Sequence, residues 1–391
     1  MKDKTIEKLI KTEDARQKKV INLIASENYV SDDVLTALGS SLTNKYSEGY
    51  PGRRYYGGNT VIDQVESLAQ ERALSLFKLD SKKWHVNVQP LSGSPANFAV
   101  FAALVPLGGK IMGLKLSSGG HLTHGQPVSM TGKIWKQIPY EVDPKTELIN
   151  YKEIEKLAVA EKPDIIVAGF TAYPRVVDFK KFAAIAKKSG ALLMVDMSHF
   201  AGLVAGGEYP TPFQYADVVT TTVHKTLRGP RSAMIFVKKD KREMDKKIDK
   251  TIIPGLQGGP HNNQIAAVAI ALKEAATPAF KKYAKQVIKN AQALGKALEA
   301  KGWRLVTGGT DSHLLLVDTW ASGKGISGKE ASALLERAGI IVNMNTIPQD
   351  PRGVMDPSGI RLGTAAETTR GKKEKDMKAI ADKIDKVLRA K

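Results

Sequence analysis

From about residue 84 to residue 240, short apolar runs alternate with stretches of helical pattern, and few architectures accept that order. The strand candidates are WHVNVQ (84–89), KIMGLKL (110–116), DIIVAGF (164–170), ALLMVDM (191–197), DVVTTTV (217–223) and AMIFVK (233–238). Helices fit between several of them, for instance DFKKFAAIAKKS (178–189), where Gly190 is placed as a C-terminal stop. Strands alternating with helices build a largely parallel sheet covered on both faces. In an open sheet of that kind ligands sit beyond the C-terminal ends of the strands, so chemistry is expected there.

A second unit begins near residue 277. Thr277 and Pro278 suit an N-cap and a first helical position, and Gly302 suits the stop of a helix filling most of the interval. Then come HLLLVDT (313–319), the helix GKEASALLERAG (328–339), IIVNMN (340–345), IRLGT (360–364) and a basic terminal helix, which together read as a smaller α+β domain. The expected partition is an N-terminal helical arm over 1–25, a large domain over 26–275 and a small C-terminal domain over 276–391.

Composition narrows the chemistry. The absence of cysteine excludes disulfides, cysteine-ligated metal sites and any thiolate nucleophile, and fits a reducing compartment. No run approaches the roughly 18 to 20 apolar residues that span a bilayer. The N-terminus mixes acids with bases and has no apolar leader, so a cytoplasmic protein with no membrane attachment is expected. Lys and Arg outnumber Asp and Glu by 59 to 40, and a net charge of +19 attracts polyanions. Bases alternate with acids within the rich segments KKDKREMDKKIDK (238–250) and GKKEKDMKAIADKIDK (371–386), so a solvated surface is expected and nucleic acid is not an expected partner.

Two strand candidates end in reactive groups. DVVTTTV runs through His224 to Lys225, and a lysine desolvated at a strand's mouth can act as a neutral amine and form a Schiff base with an aldehyde. ALLMV ends in Asp196, followed by His199, which brings a carboxylate to an equivalent depth; alone it would read equally well as a helix cap. Together an amine and an anion meet the needs of pyridoxal phosphate, one for its aldehyde and one for its protonated ring nitrogen. Ser92-Gly93-Ser94-Pro95 opens a helix and offers hydroxyls and free N–H groups to a phosphate. PGLQGGP (254–260) either brings further N–H groups to that phosphate or is a plain turn. In GGHLTHG (119–125), His121 or His124 could stack on an aromatic cofactor or shuttle protons; no third ligand accompanies them, so no metal is expected. Arg361 could clamp a substrate carboxylate.

LIASENYVS (23–31), LTNKYSEGYPGRRYYGGN (42–59), NVQPLSGSPANFAV (87–100), GGHLTHG, VDMSHFAGLVAGG (195–207), TTTVHKTLRGPR (220–231), PGLQGGP, GGTDSHLLLVD (308–318) and SGIRLGT (358–364) resemble serine hydroxymethyltransferases, in order and spacing, from about residue 20 to 370. The resemblance implies the fold type I of pyridoxal-phosphate aminotransferases, with a mostly parallel seven-stranded sheet, a smaller α+β C-terminal domain, and active sites shared within a homodimer or a tetramer built from it. It implies interconversion of serine plus tetrahydrofolate with glycine plus 5,10-methylenetetrahydrofolate. By motif matching Lys225 is the aldimine lysine, Asp196 the pyridinium partner, His121 the ring-stacking histidine and His199 a polar neighbour of the cofactor. Ser92, Gly93 and Ser94 match the phosphate site, helped from the partner by Tyr46, Gly258 and Gly259; Thr171, Thr222 and His224 complete the cofactor contacts. Glu48 matches the acid-base carboxylate, with Tyr56 beside it; Arg361, Ser26 and His199 match the carboxylate receptor, and Tyr55, Leu122 and Asn345, with Glu48, the folate contacts. Thr171 stands where the family generally has serine, and Val223, Ser232, Leu256 and Ala365 also depart from its usual pattern. Two rivals share parts of this reading: a folate-independent pyridoxal-phosphate aldolase of β-hydroxy amino acids, and a basic nucleic-acid-binding protein on an enzyme's scaffold.

Overall fold

The computed structural model describes residues 1–322 and 325–390. The chain divides into two compact units, one of Asn28–Lys285 and one of Met1–Glu27 with Gln286–Lys391, and the division falls inside the helix Pro278–Glu299.

In the first unit seven strands make one sheet: β1 (Trp84–Asn87), β2 (Lys110–Leu114), β3 (Lys136–Tyr140), β4 (Ile165–Gly169), β5 (Leu192–Asp196), β6 (Val218–Thr222) and β7 (Ala233–Lys238). Their spatial order is β1-β7-β6-β5-β4-β2-β3, and every pairing is parallel except the two made by β7. The expected α/β sheet is therefore present. β4 is buried along its whole length, as a continuous apolar run in a doubly covered sheet must be, and so is β6, although three of its five residues are threonines. The helix Gly93–Leu104 packs Val100 and Phe101 against Ile111, Ile165, Val167, Val218 and Ile235. The helix Phe179–Ser189 starts on the Asp178 side chain, which accepts from Lys181 N, and ends at Gly190 with φ 79°. It buries Phe179, Phe182, Ile185 and Ala186.

β3 is the strand the sequence pattern does not announce. Only Ile138 and Tyr140 of its five residues are buried, and Pro139 argues against a strand. It lies at the sheet's edge, where a proline's missing N–H costs no ladder bond.

The second unit carries a four-stranded antiparallel sheet of β8 (Arg304–Leu305), β9 (Leu314–Asp318), β10 (Asn343–Asn345) and β11 (Gly359–Gly363), in the order β8-β9-β11-β10. Leu315, Val317, Ile360 and Leu362 face a core closed by Leu294, Leu298 and Leu335 and by Met377, Ile380, Ile384 and Leu388 of the terminal helix Glu374–Arg389. Each such side chain contributes about 1.5–3 kcal/mol by leaving water. The run IIVNMN does not form one strand: Ile340–Ile341 pairs in parallel with Ile21–Asn22, and Asn343–Asn345 pairs with β11. The N-terminal segment thereby joins the C-terminal unit through main-chain bonds. Among the described residues no helix is long and apolar enough to cross a membrane.

One close approach fixes the turn that follows. Gly363 N donates to Leu23 O at 2.8 Å, and a Cβ on Gly363 would fall 2.3 Å from Ala25 Cα. The obstacle is backbone and cannot swing away. Gly363→Ala is expected to destabilise the chain by about 1–3 kcal/mol, the range for overpacking. The measurement is a denaturation midpoint, and an unchanged midpoint would contradict this seating of the Ala25–Ser26 turn.

Candidate active site

The loops that leave β1, β2, β4, β5 and β6 at their C-terminal ends carry most of the residues singled out above. β5 ends at Asp196 itself, and Asp196 pairs in register with Thr220 on β6, five residues before Lys225. Amine and carboxylate thus stand at the mouths of adjacent parallel strands, and both are buried.

Asp196 is held by three donors. Asn97 Nδ2 donates to its Oδ2 at 2.8 Å, His124 Nε2 donates to the same oxygen at 3.2 Å, and Ser198 N donates to Oδ1 at 3.0 Å. Burial by itself would raise this carboxyl's pKa; the bond and charge of His124, followed by His121 and Lys225, outweigh burial and hold it well below the usual carboxylate range. The buried group is an anion.

Asn97 does more than touch Asp196. Its Nδ2 also donates to Thr123 Oγ1 at 2.9 Å, and its Oδ1 accepts from Thr220 Oγ1 at 2.7 Å. Thr123 in turn fixes His121: its backbone N–H lies 3.2 Å and its hydroxyl 2.7 Å from His121 Nδ1. A backbone N–H can only donate, so Nδ1 is the acceptor and Nε2 carries the proton. Thr171 secures the turn before this histidine by donating from Oγ1 to Gly120 O at 2.9 Å. His199 is buried, and its carbonyl accepts from Thr226 Oγ1 at 3.1 Å.

An anion cradle lies beside this group. Ser92 precedes the twelve-residue helix Gly93–Leu104 in extended conformation and spends no side-chain bond on capping it. Thr222 N donates to Ser198 Oγ at 3.0 Å, while the buried Thr222 hydroxyl oxygen has no hydrogen-bond partner among the described residues. A Cβ on Gly93 would come within 2.6 Å of the Thr222 methyl, so any other residue there would have to displace that side chain. Open N–H groups at a helix start with an unmet hydroxyl beside them suit a phosphate.

A second group forms around the Tyr/Gly-rich segment. Gly49–Tyr50 and Arg53–Arg54 pair as a hairpin, and Tyr55 N donates to Glu48 O at 3.0 Å. The Tyr46 and Tyr56 rings meet edge to face with centroids 5.2 Å apart. A Cβ on Gly258 would lie 3.2 Å from Glu48 Oε1, and one on Gly259 3.0 Å from the Tyr46 ring, so the PGLQGGP turn backs directly onto Glu48 and Tyr46. Tyr46, Tyr55, Tyr56 and Leu122 are exposed.

The remaining candidates belong to the other unit. Arg361 and Asn345 lie on the paired strands β11 and β10, and Ser26 is half-buried in the turn that Gly363 supports. Arg361 Nε donates to Asn343 Oδ1 at 3.1 Å.

A family model described as serine hydroxymethyltransferase matches residues 1–384. The chain is 54% identical over 386 residues to a serine hydroxymethyltransferase of Desulfotalea psychrophila, covering 99% of this chain and 88% of that one. It is 54% identical over 385 residues to one from Sorangium cellulosum, covering 98% and 89%, and 52% identical over 388 residues to one from Acidothermus cellulolyticus, covering 99% and 89%. This chain belongs to the serine hydroxymethyltransferase family. It is accordingly a pyridoxal-phosphate-dependent transferase acting on serine, glycine and tetrahydrofolate, and the aldolase reading is not favoured. The cofactor fits the residues present: an ionised carboxylate, a buried lysine, and a phosphate cradle with an unmet hydroxyl.

Nothing in the sequence alone points to Thr123, Ser198 or Thr220. The available signal is Asn97, the one polar residue inside the apolar helix run ANFAVFAAL (96–104). His124 reads in the sequence only as half of a histidine pair.

His224 supplies a pH test. Burial, with the charges of Lys225 and Arg231 next, draws its imidazole down to about 3. The unfolded chain protonates this group near pH 6.5, so between those values the unfolded state binds more protons. Its contribution to stability is present above about pH 6.5 and is lost as pH falls toward about 3. In histidine NMR spectra the His224 resonance is expected to stay flat from about pH 8 to about pH 5. A midpoint near 6.5 would refute it.

Proposed function

We propose that the residues gathered above carry out the family's reaction, serine plus tetrahydrofolate to glycine plus 5,10-methylenetetrahydrofolate and its reverse, in the following roles. When bound, pyridoxal phosphate supplies an aldehyde for the substrate amine and a protonated ring that draws electrons from the substrate's α-carbon. Asp196 keeps the ring nitrogen protonated by offering an anion that is already paid for by Asn97, Ser198 and His124. Lys225 Nζ is the amine that holds the cofactor until substrate displaces it. Ser92, Gly93, Ser94 and the Thr222 hydroxyl hold the phosphate, His121 covers the ring, and Thr171, His199 and His224 line the remaining contacts. Arg361, Ser26 and His199 receive the substrate carboxylate. Glu48, with Tyr56 beside it, moves the proton of the serine hydroxyl as the side-chain carbon departs, and Tyr55, Leu122 and Asn345 take the folate. The observation that carries this reading is the ionised, triply held Asp196 one strand away from a buried lysine.

A homodimer with shared sites belongs to the same reading. It is supported by the exposed Tyr46, Tyr55 and Tyr56, aromatic surface gathered beside a carboxylate that the reaction needs. A cytoplasmic location accords with a chain lacking cysteine.

Glu48→Gln is expected to lower kcat for serine cleavage with tetrahydrofolate by about 10²- to 10⁴-fold while the cofactor stays bound, the range for losing a well-placed acid or base. Asp196→Ala should lose both cofactor affinity and turnover, and full turnover in either variant rejects that residue's role. Mixing inactive Lys225→Ala with inactive Glu48→Gln tests the shared site: random reassortment puts half the dimers in mixed form with one intact site each, restoring about a quarter of wild-type activity. No restored activity after subunit exchange would confine each site to one chain.

A further inference from the structure

Glu48 sits in a segment with little stiffness of its own. The hairpin it opens is two residues long on each side, a size that is marginal in isolation, and Gly49 beside it lies at φ 94°, within the wide range open to glycine. The buried surroundings supply the stiffness. Upstream, the buried Asn262 at the start of the helix Asn262–Ala275 uses both ends of its amide. Its Nδ2 donates to Lys45 O at 2.5 Å, and its Oδ1 accepts from the hydroxyl of the buried Ser47 at 2.6 Å. Downstream, Gly49 O accepts from Gln89 Nε2 at 3.0 Å and from Arg54 Nη1 at 2.9 Å, and Arg54 Nη1 also donates to Ser47 O at 2.8 Å. The buried Glu66 orients those two donors: its Oε1 accepts from Gln89 Nε2 at 2.8 Å and its Oε2 from Arg54 Nη2 at 2.7 Å. The turn that leads into Asn262 backs onto the Glu48 carboxylate at Gly258.

We infer that Asn262 and Gln89 are positioning residues that aim the Glu48 carboxylate by gripping the chain on either side of it. The inference rests on the reading of Glu48 as the acid-base group. The direction of a side chain is set first by its own Cα–Cβ bond, and a misplacement of about 1 Å in a reacting group costs about 10²-fold in rate. Both amides are neutral, so they fix the segment without placing a new charge beside the carboxylate. Arg54 shares the grip, but its removal would strand Glu66 as an unpaired buried charge and would test folding rather than aim. Bonds with a purely structural role predict a lower thermal midpoint with turnover retained, or a loss of turnover that is the same whether or not Glu48 is present.

The test compares Asn262→Ala and Gln89→Met, singly and combined with Glu48→Gln, as holoenzymes. It reads kcat and serine KM with tetrahydrofolate, cofactor absorbance and thermal midpoint, and the combined variants are read in single turnovers with enzyme in excess. Each single change is expected to lower kcat by about 10- to 100-fold, with the cofactor bound and serine KM within about 2-fold of wild type. Beside Glu48→Gln the same changes should lower the rate by less than about 2-fold, since residues that act through one group lose their effect once it is gone. A wild-type kcat in either single variant, or an equal fold loss with and without Glu48, overturns the inference whatever the midpoint does. Glu48→Gln alone separates the two readings. Full turnover there removes Glu48 as the acid-base group, whereas a large loss there beside wild-type kcat in Asn262→Ala and Gln89→Met removes only the positioning role. Should either variant fail to fold, Ser47→Ala, which deletes one hydroxyl and its bond to Asn262, carries the test. A kcat lowered several-fold, with no further loss beside Glu48→Gln, supports the inference, and an unchanged kcat overturns it.

Discussion

An unscreened carboxylate inside a protein is costly enough that it normally takes up a proton. Asp196 remains ionised because an amide, a backbone N–H and an imidazole converge on it, and the bases around it add favourable charge. That requirement organises much of the first unit. The helix Gly93–Leu104 must start where it does so that Asn97, one turn in, reaches both Asp196 and Thr123. The same start presents the open N–H groups of the phosphate cradle. One helix therefore sets the spacing between Asp196 and the turn at Ser92–Ser94, and β5 and β6 bring Asp196 and Lys225 to the mouths of adjacent strands. Removing one holder of a buried charge leaves the charge behind, which is why such groups act as a set.

The small sheet treats the half-buried Arg361 in a related way. The neighbour of Arg361 that the pairing places opposite it is an amide, able to orient the guanidinium without cancelling it. In the first unit an amide and a backbone N–H fix the direction of the Asp196 carboxylate while His124 adds favourable charge, and in the second an amide meets the Arg361 guanidinium. Preorganisation of this sort lets binding energy be spent on the reacting molecule rather than on ordering the protein.

The alternation of apolar runs and helical stretches made the parallel sheet legible, because strands buried on both faces leave an unbroken apolar record and the period changes sharply between elements. The edge strand β3 leaves no such record: among the described residues its outer edge faces no partner strand, three of its five residues are not buried, and a proline is tolerated. IIVNMN reads as one strand, yet its two halves pair with different strands in different directions, a choice made by the partners.

Chemistry followed the same division. Reactive residue types at strand ends, and the order of motifs along the chain, mark Lys225, Asp196 and the SGSP turn, since a phosphorylated pyridine calls for an amine, an anion and a seat for its phosphate. The holders of Asp196 and its neighbours are not readable, because Asn97, Thr123, Ser198 and Thr220 are ordinary residue types whose meaning lies in what they face. Local composition and periodicity suffice to choose elements and to list reactive groups. Which donor meets which acceptor depends on contacts between segments far apart in the chain, 123 positions in the case of Asn97 and Thr220, and only the packed chain brings those together.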